Sequence, residues 1–181
     1  MTDHLSSPSS MTRIPDRIRA YFSSSPKGEI YIEEAEFGLR RILPFLTKLP
    51  AGSRVLEIGS GPGILLREIR ERFPELVVQG VEPMSDGFAF FKDFLGEISE
   101  RDRDFSVHLG GYESFYCERK WDLIFLINVF EHLPDWRDFM TYVAANLKSD
   151  GKCVILCPNY SFPYESHFKL PIVINKGITR A

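Results

Sequence analysis

Apolar positions along this chain follow two periods in turn. Over residues 29–48 they fall at Ile32, Ala35, Leu39, Ile42, Leu43 and Leu46, three or four apart, which predicts a helix. Pro44 should kink or divide that helix, since its ring removes an N–H and crowds the carbonyl four residues back. Pro50-Ala51-Gly52-Ser53 then reads as a turn. The next stretch, 54–58, is a short β-branched and apolar run ending in glycines, the pattern of a buried strand. Residues 64–73 return to helical spacing at Ile64, Leu65, Ile69 and Phe73. Strand-like runs follow at 76–81, 105–109, 122–127 and 152–157. A helix capped by Ser85 or Asp86 is expected to reach about Leu95, and another spans 135–147 with Phe139, Tyr142, Val143 and Leu147 on one face. Ser149-Asp150-Gly151 reads as the turn between that helix and the last strand.

Strands that are apolar nearly throughout, each separated by a helix, predict an α/β fold with a mostly parallel sheet covered on both faces. Right-handed crossovers make it a Rossmann-like doubly wound sheet, whose ligand lies beyond the carboxyl ends of the strands. Chemistry should therefore be sought just after each strand.

Composition narrows the partners. The 181 residues suit one domain, and 44% hydrophobic with 26% charged residues is ordinary globular usage. A net charge of −3 offers no basic surplus for duplex nucleic acid, which is disfavoured as a partner. Cys117, Cys153 and Cys157 have neither disulfide nor zinc spacing. Cys153 and Cys157 flank Val-Ile-Leu and read as small buried strand residues, and a reducing, cytoplasmic setting follows. The Ser-rich start is not a signal peptide, and no apolar run approaches the roughly 20 residues that span a bilayer. The oligomeric state is not encoded in any pattern of this kind.

The loop after the first strand is Gly59-Ser60-Gly61-Pro62-Gly63. Glycines permit left-handed backbone and close approach of a ligand, and the helix N-terminus that follows attracts anionic or electron-rich groups. The second strand ends in Val81-Glu82-Pro83, with the acid 23 residues after Gly59. A carboxylate at that distance can accept hydrogen bonds from both hydroxyls of a ribose. The fourth strand runs into Asn128-Val129-Phe130-Glu131-His132-Leu133-Pro134-Asp135.

Taken together, Val-Leu-Glu-Ile-Gly-Ser-Gly-Pro-Gly, Glu82 and Asn-Val-Phe-Glu-His-Leu-Pro-Asp resemble the class I S-adenosylmethionine-dependent methyltransferases, over about residues 30–160. Within them the chain looks like the small-molecule type. The resemblance implies S-adenosyl-L-methionine as cofactor and S-adenosyl-L-homocysteine as product. It implies that Gly59, Ser60, Gly61 and Gly63 pass under the methionine part, with Glu57 beneath, orienting the loop or the amino group through water. Glu82 would hold the ribose, and Pro83 and Met84 would pack on adenine. Gly111 and Tyr112 would take the adenine side, although Tyr112 departs from the small residue usual there. Asn128 and Val129 would touch the cofactor from the fourth strand. A base is needed only for some acceptors, and His132 and His167 are the candidates. Asn159 and Tyr160, in the aromatic stretch after the fifth strand, are candidate acceptor contacts.

The expected organisation is a tail over 1–12, an N-terminal helical segment over 13–50, the cofactor domain over 51–160, and a substrate-side loop or truncated C-terminal part over 161–181. Complete domains of this family carry seven strands, the last two antiparallel. Five are legible here, with only residues 170–174 as a further short strand, so the C-terminal pair is expected to be incomplete. The leading expectation is an enzyme that methylates a small molecule. The alternative is a catalytically weak cofactor-binding or scaffold protein of the same fold. A nicotinamide dehydrogenase is disfavoured by the early third glycine and by the fourth-strand motif.

Overall fold

The central strand β1, Arg54–Ile58, is buried along four of its five residues and hydrogen-bonds to a parallel neighbour on each side. The computed structural model describes residues 12–23, 25, 27–83, 105–158, 164–165 and 170–171. Among these, β2 (Val77–Glu82), β3 (Phe105–Leu109), β4 (Trp121–Ile127) and β5 (Leu147–Leu156) join β1 in one parallel sheet of order β3-β2-β1-β4-β5. The order reverses at β1, so the crevice between the carboxyl ends of β1 and β4 is the switch point. The parallel α/β sheet expected from the sequence is thus the fold. A separate antiparallel pair joins β6 (Tyr164–Glu165) to β7 (Leu170–Pro171), at the start of the short strand expected there.

The helices are α1 (Asp16–Phe22), α2 (Gly28–Leu46), α3 (Ile64–Arg72) and α4 (Trp136–Asn146). Two cores result, one on each sheet face. Ile18, Phe22, Ile32, Leu39, Ile42 and Leu66 of the first three helices pack on Val55, Val78, Leu123 and Phe125. Phe139 and Val143 of α4 pack on Leu56, Ile58, Val81, Ile124 and Leu126. Alternate residues of β1 therefore feed opposite cores, as strand geometry requires.

Three expectations need correction. Pro44 does not divide α2, which runs on to Leu46, and Thr47 N–H still donates to Leu43 O at 3.1 Å. Only one turn follows the proline, so a single missing bond is tolerated. Ser149-Asp150-Gly151 is not a turn before the last strand but part of β5 itself. Trp121 pairs with Leu147 and Leu123 with Lys152, so residues 148–151 bulge out opposite Asp122. Lys148 Nζ reaches back to both Asp122 carboxylate oxygens at 2.8 Å and secures the bulge. Finally, Cys153 is only half-buried and Cys157 is exposed, because β5 lies at the edge of the described sheet. The helix expected from Ser85 or Asp86 lies outside the described residues.

Candidate functional site

The carboxyl ends of three neighbouring strands, β2, β1 and β4, build the site. β1 ends at Ile58, and Gly59, Gly61 and Gly63 then take φ of 73°, 53° and 76°. An L side chain is strained in that region, which is why the loop is written in glycine. Gly63 stands directly before α3, so the loop delivers the chain into a helix N-terminus. The loop is pinned to β2: Gly59 and Ser60 N–H both donate to Val81 O, at 2.7 and 3.1 Å. Gly61 N–H donates to Glu82 Oε2 at 2.8 Å.

Gly59 is constrained a second time. A Cβ there would lie 2.4 Å from Val129 Cγ2, so the loop after β4 presses on the loop after β1. Asn128, the residue before that valine, has φ 53° and is the one non-glycine residue with positive φ among those described. Its N–H donates to Leu156 O at 2.8 Å, which ties the strained turn to β5. Asparagine bears this conformation better than most residues, yet strain of this kind, of order 1–3 kcal/mol, concentrates at functional sites.

Two carboxyl groups lie under the loop. Glu57 is 4% exposed and Glu82 5%. Burial, with the negative charge of Glu82 adding to it, pushes the Glu57 carboxyl up to about 8. Glu82 is also raised by burial, but the N–H of Gly61 opposes the shift by stabilising its ionised form. Glu57 Oε2 and Ser60 Oγ are buried without a hydrogen-bond partner. A buried acceptor of that kind carries a desolvation cost until a donor reaches it.

The remaining expected residues are distributed as follows. Pro83 is exposed at the end of β2. Gly111 precedes a 3-10 turn, Tyr112–Ser114, and Tyr112 turns its ring into the second core, 5.3 Å from Phe139 and 5.2 Å from Tyr142. His132 is exposed in the 3-10 turn Phe130–His132. Met84, Asn159, Tyr160 and His167 lie outside the described residues. The structure brings Glu57, Gly59, Ser60, Gly61, Glu82 and Val129 together. Sequence reasoning passed over Glu131, whose two carboxylate oxygens are buried without a partner in the same turn. Its signal was an acid in the loop that follows an apolar strand, four residues after Ile127.

A doubly wound sheet with a glycine loop after β1, an acid at the end of β2 and a strained turn after β4 defines a Rossmann-like methyltransferase fold. The chain belongs to the methyltransferase-domain family, which matches residues 31–171. It is 32% identical over 151 residues to an uncharacterised protein of Mycobacterium tuberculosis, found in strains H37Rv and CDC 1551. That match covers 81% of this chain and 50% of the relative, so the chain spans about half the length of the curated relatives it matches. Coclaurine N-methyltransferase, solved with N-methylheliamine and S-adenosylhomocysteine, has TM-score 0.53 and 20% identity over 72% of this chain and 37% of its own. The glycopeptide N-methyltransferase MtfA, solved with S-adenosylmethionine, has TM-score 0.51 and 18% identity over 72% of this chain and 56% of its own. At these identities the likeness is one of fold.

Proposed function

We propose that this chain binds S-adenosylmethionine over the Gly59–Gly63 loop and transfers its methyl group to a small-molecule acceptor. The observation that carries the reading is the pair of buried acids beneath a left-handed glycine loop, one with an oxygen lacking any donor. The residues fit the cofactor. Glu57 Oε2 is an acceptor in want of the donor that a methionine ammonium, or a water on it, supplies. Glu82 gives one lone pair to Gly61 and keeps others for a ribose diol, since a carboxylate has about four acceptor sites. Fold neighbours bound to S-adenosylmethionine or S-adenosylhomocysteine support the assignment.

The cofactor supplies a sulfonium-activated methyl. The chain's own task is to align it: the loop and Val129 fix one side of the crevice, and the turn at Asn128–His132 faces the acceptor side. Alignment supplies much of the acceleration of an in-line displacement. His132, exposed at that turn, is the base we assign for an acceptor that must lose a proton, with His167 as the second candidate. Asn159 and Tyr160, following β5, are assigned to the acceptor wall. Free Cys117, Cys153 and Cys157 accord with a cytoplasmic setting, and among the described residues no helix is long and apolar enough to cross a membrane.

S-adenosylhomocysteine should raise the melting temperature, by the equivalent of about 2.7 kcal/mol at a hundred times Kd. A folded protein that shows no shift at millimolar ligand refutes the cofactor assignment. Release of S-adenosylhomocysteine from S-adenosylmethionine across an acceptor panel tests the transfer. Binding without turnover on any small acceptor turns the reading to a cofactor-binding protein.

A further inference from the structure

We propose that the ammonium end of the cofactor binds with release of one proton from the Glu57–Glu82 carboxyl pair, so that affinity rises with pH. This rests on the cofactor reading above. The geometry is the first support. Glu57 and Glu82 stand at the ends of adjacent parallel strands, with Glu57 in register with Gly80, two residues before Glu82. Both are more than nine-tenths buried. Two negative charges in one buried place repel, and among the described residues no cation acts on either.

The second support is the census of charged groups around Glu57. Among the described residues, Glu82 is the charged group that acts on it. On α3, Arg67 pairs with Glu71, which Arg17 of α1 also reaches, Arg72 pairs with Glu68, and Arg70 donates to the carbonyls of Pro74 and Leu76. On β4 Asp122 lies at the far end of the strand, held by Lys148, and Glu57 faces Phe125 in register. On β3 His108 bonds to Ser114. Across the crevice His132 is exposed and Glu131 lies in the same 3-10 turn.

The third support says which acid carries the proton. Gly61 N–H donates to Glu82, which favours its ionised form, whereas Glu57 Oε2 has no donor at all. The free site therefore holds Glu57 as the neutral acid and Glu82 as the carboxylate, with Glu57 pushed up to about 8. An arriving ammonium reverses the balance. The Glu57 O–H bond breaks, its electrons stay on the carboxylate that now faces the ammonium, and the proton passes to solvent. The ligand's ammonium keeps its own protons throughout. Linkage then sets the sign: the complex holds fewer protons than the free protein, so affinity climbs by up to about tenfold per pH unit below about pH 8 and levels above it.

The test is calorimetric titration of the full chain with S-adenosylhomocysteine at about pH 7, in phosphate and in Tris, whose ionisation enthalpies differ. The expected result is an enthalpy that depends on the buffer and reports close to one proton released per site. That dependence should fade above about pH 8 and vanish in Glu57→Gln, an isostere of the neutral acid. 5′-Methylthioadenosine, which keeps adenosine and thioether but lacks the amino-acid part, should bind without proton release. In the wild-type protein, the infrared difference spectrum on binding S-adenosylhomocysteine should lose a protonated-carboxyl carbonyl band, a readout independent of any variant. Buffer-independent binding of S-adenosylhomocysteine overturns the proposal while leaving the cofactor assignment intact. Proton release that persists in Glu57→Gln, or that equally accompanies 5′-methylthioadenosine, also overturns it. Failure of both ligands to bind removes the cofactor assignment and the proposal with it.

Discussion

A carboxyl group that stays neutral at ordinary pH has a consequence for the free protein as well as for its ligand. An unfolded glutamate ionises near about 4.3. In the folded chain Glu57 holds its proton up to about 8. Between these values the folded state binds more protons than the unfolded one, so stability is highest at the acidic end and falls as pH rises through the window. The component due to Glu57 is on the order of a few kcal/mol. Ligand-free melting temperatures measured from about pH 5 to pH 8 should therefore decline, and Glu57→Gln should flatten the decline. An unaltered slope in the variant would place the proton elsewhere. Gly61 is the other residue on which the site turns. Its φ of 53° disfavours any branched side chain, and its N–H holds Glu82. Gly61→Val should abolish detectable S-adenosylhomocysteine binding in a chain that still melts cooperatively, and unchanged affinity would reduce the loop to a plain turn. At this scale the sequence showed which residues gather but not what each touches. Glu82 was legible as an acid at ribose spacing. That it also clasps the glycine loop depends on φ at Gly61, which no spacing reveals. Tyr112 was expected beside adenine, and the ring contacts with Phe139 and Tyr142 were hidden because they join residues far apart in the chain.

Elements were easier to see than contacts where their periodicity was long. The 19 residues of α2 repeat an apolar stripe for five turns, and the buried strands are continuous apolar runs. α1 escaped individual notice because it has seven residues and only Ile18 and Phe22 to bury. The bulge in β5 escaped for a different reason. Ser-Asp-Gly has the composition of a turn, and only the pairing of Trp121 with Leu147 and of Leu123 with Lys152 makes it a detour within a strand. The same register shift explains why Trp121 shares the α4 core with Ile124, out of simple alternation with Leu123. α4 was read from the spacing of Phe139, Tyr142 and Val143, although Leu147, expected on the same face, begins β5. Asp135 Oδ1 accepts from Arg137 N–H at 2.7 Å and from Asp138 N–H at 3.4 Å. Asp135→Ala should cost about 1 kcal/mol in urea unfolding. A change below a few tenths would show that packing of Phe139 and Val143 alone sets where this helix begins.

For the molecule as a whole, the sheet is the partition between two cores, and β4 fills both. Phe125 is fully buried against the three N-terminal helices, while Leu126, next to it, is fully buried against α4. Phe125→Ala should destabilise the chain by about 3–5 kcal/mol, a large share of the stability of an ordinary domain. A loss under about 1 kcal/mol, measured by denaturant unfolding, would mean that the helical side of the sheet contributes little. The strand order carries a further consequence, for how the molecule is made. Chain synthesis runs from the N-terminus, and β1 can pair at once with β2, which in turn pairs with β3. The other edge of β1 must wait for β4, since Val55 meets Leu123 and Leu56 meets Ile124. Until then the nascent chain presents an unpaired strand edge flanked by Leu56, Ile58 and Val81, whose covering helix has not yet been made. Parallel pairing across so long a segment is slow, and an open apolar edge is what aggregates and what chaperones hold. A ribosome stalled before Trp121 therefore carries a chain whose cofactor loop and both acids are already synthesised, but whose central strand still seeks a partner on one side.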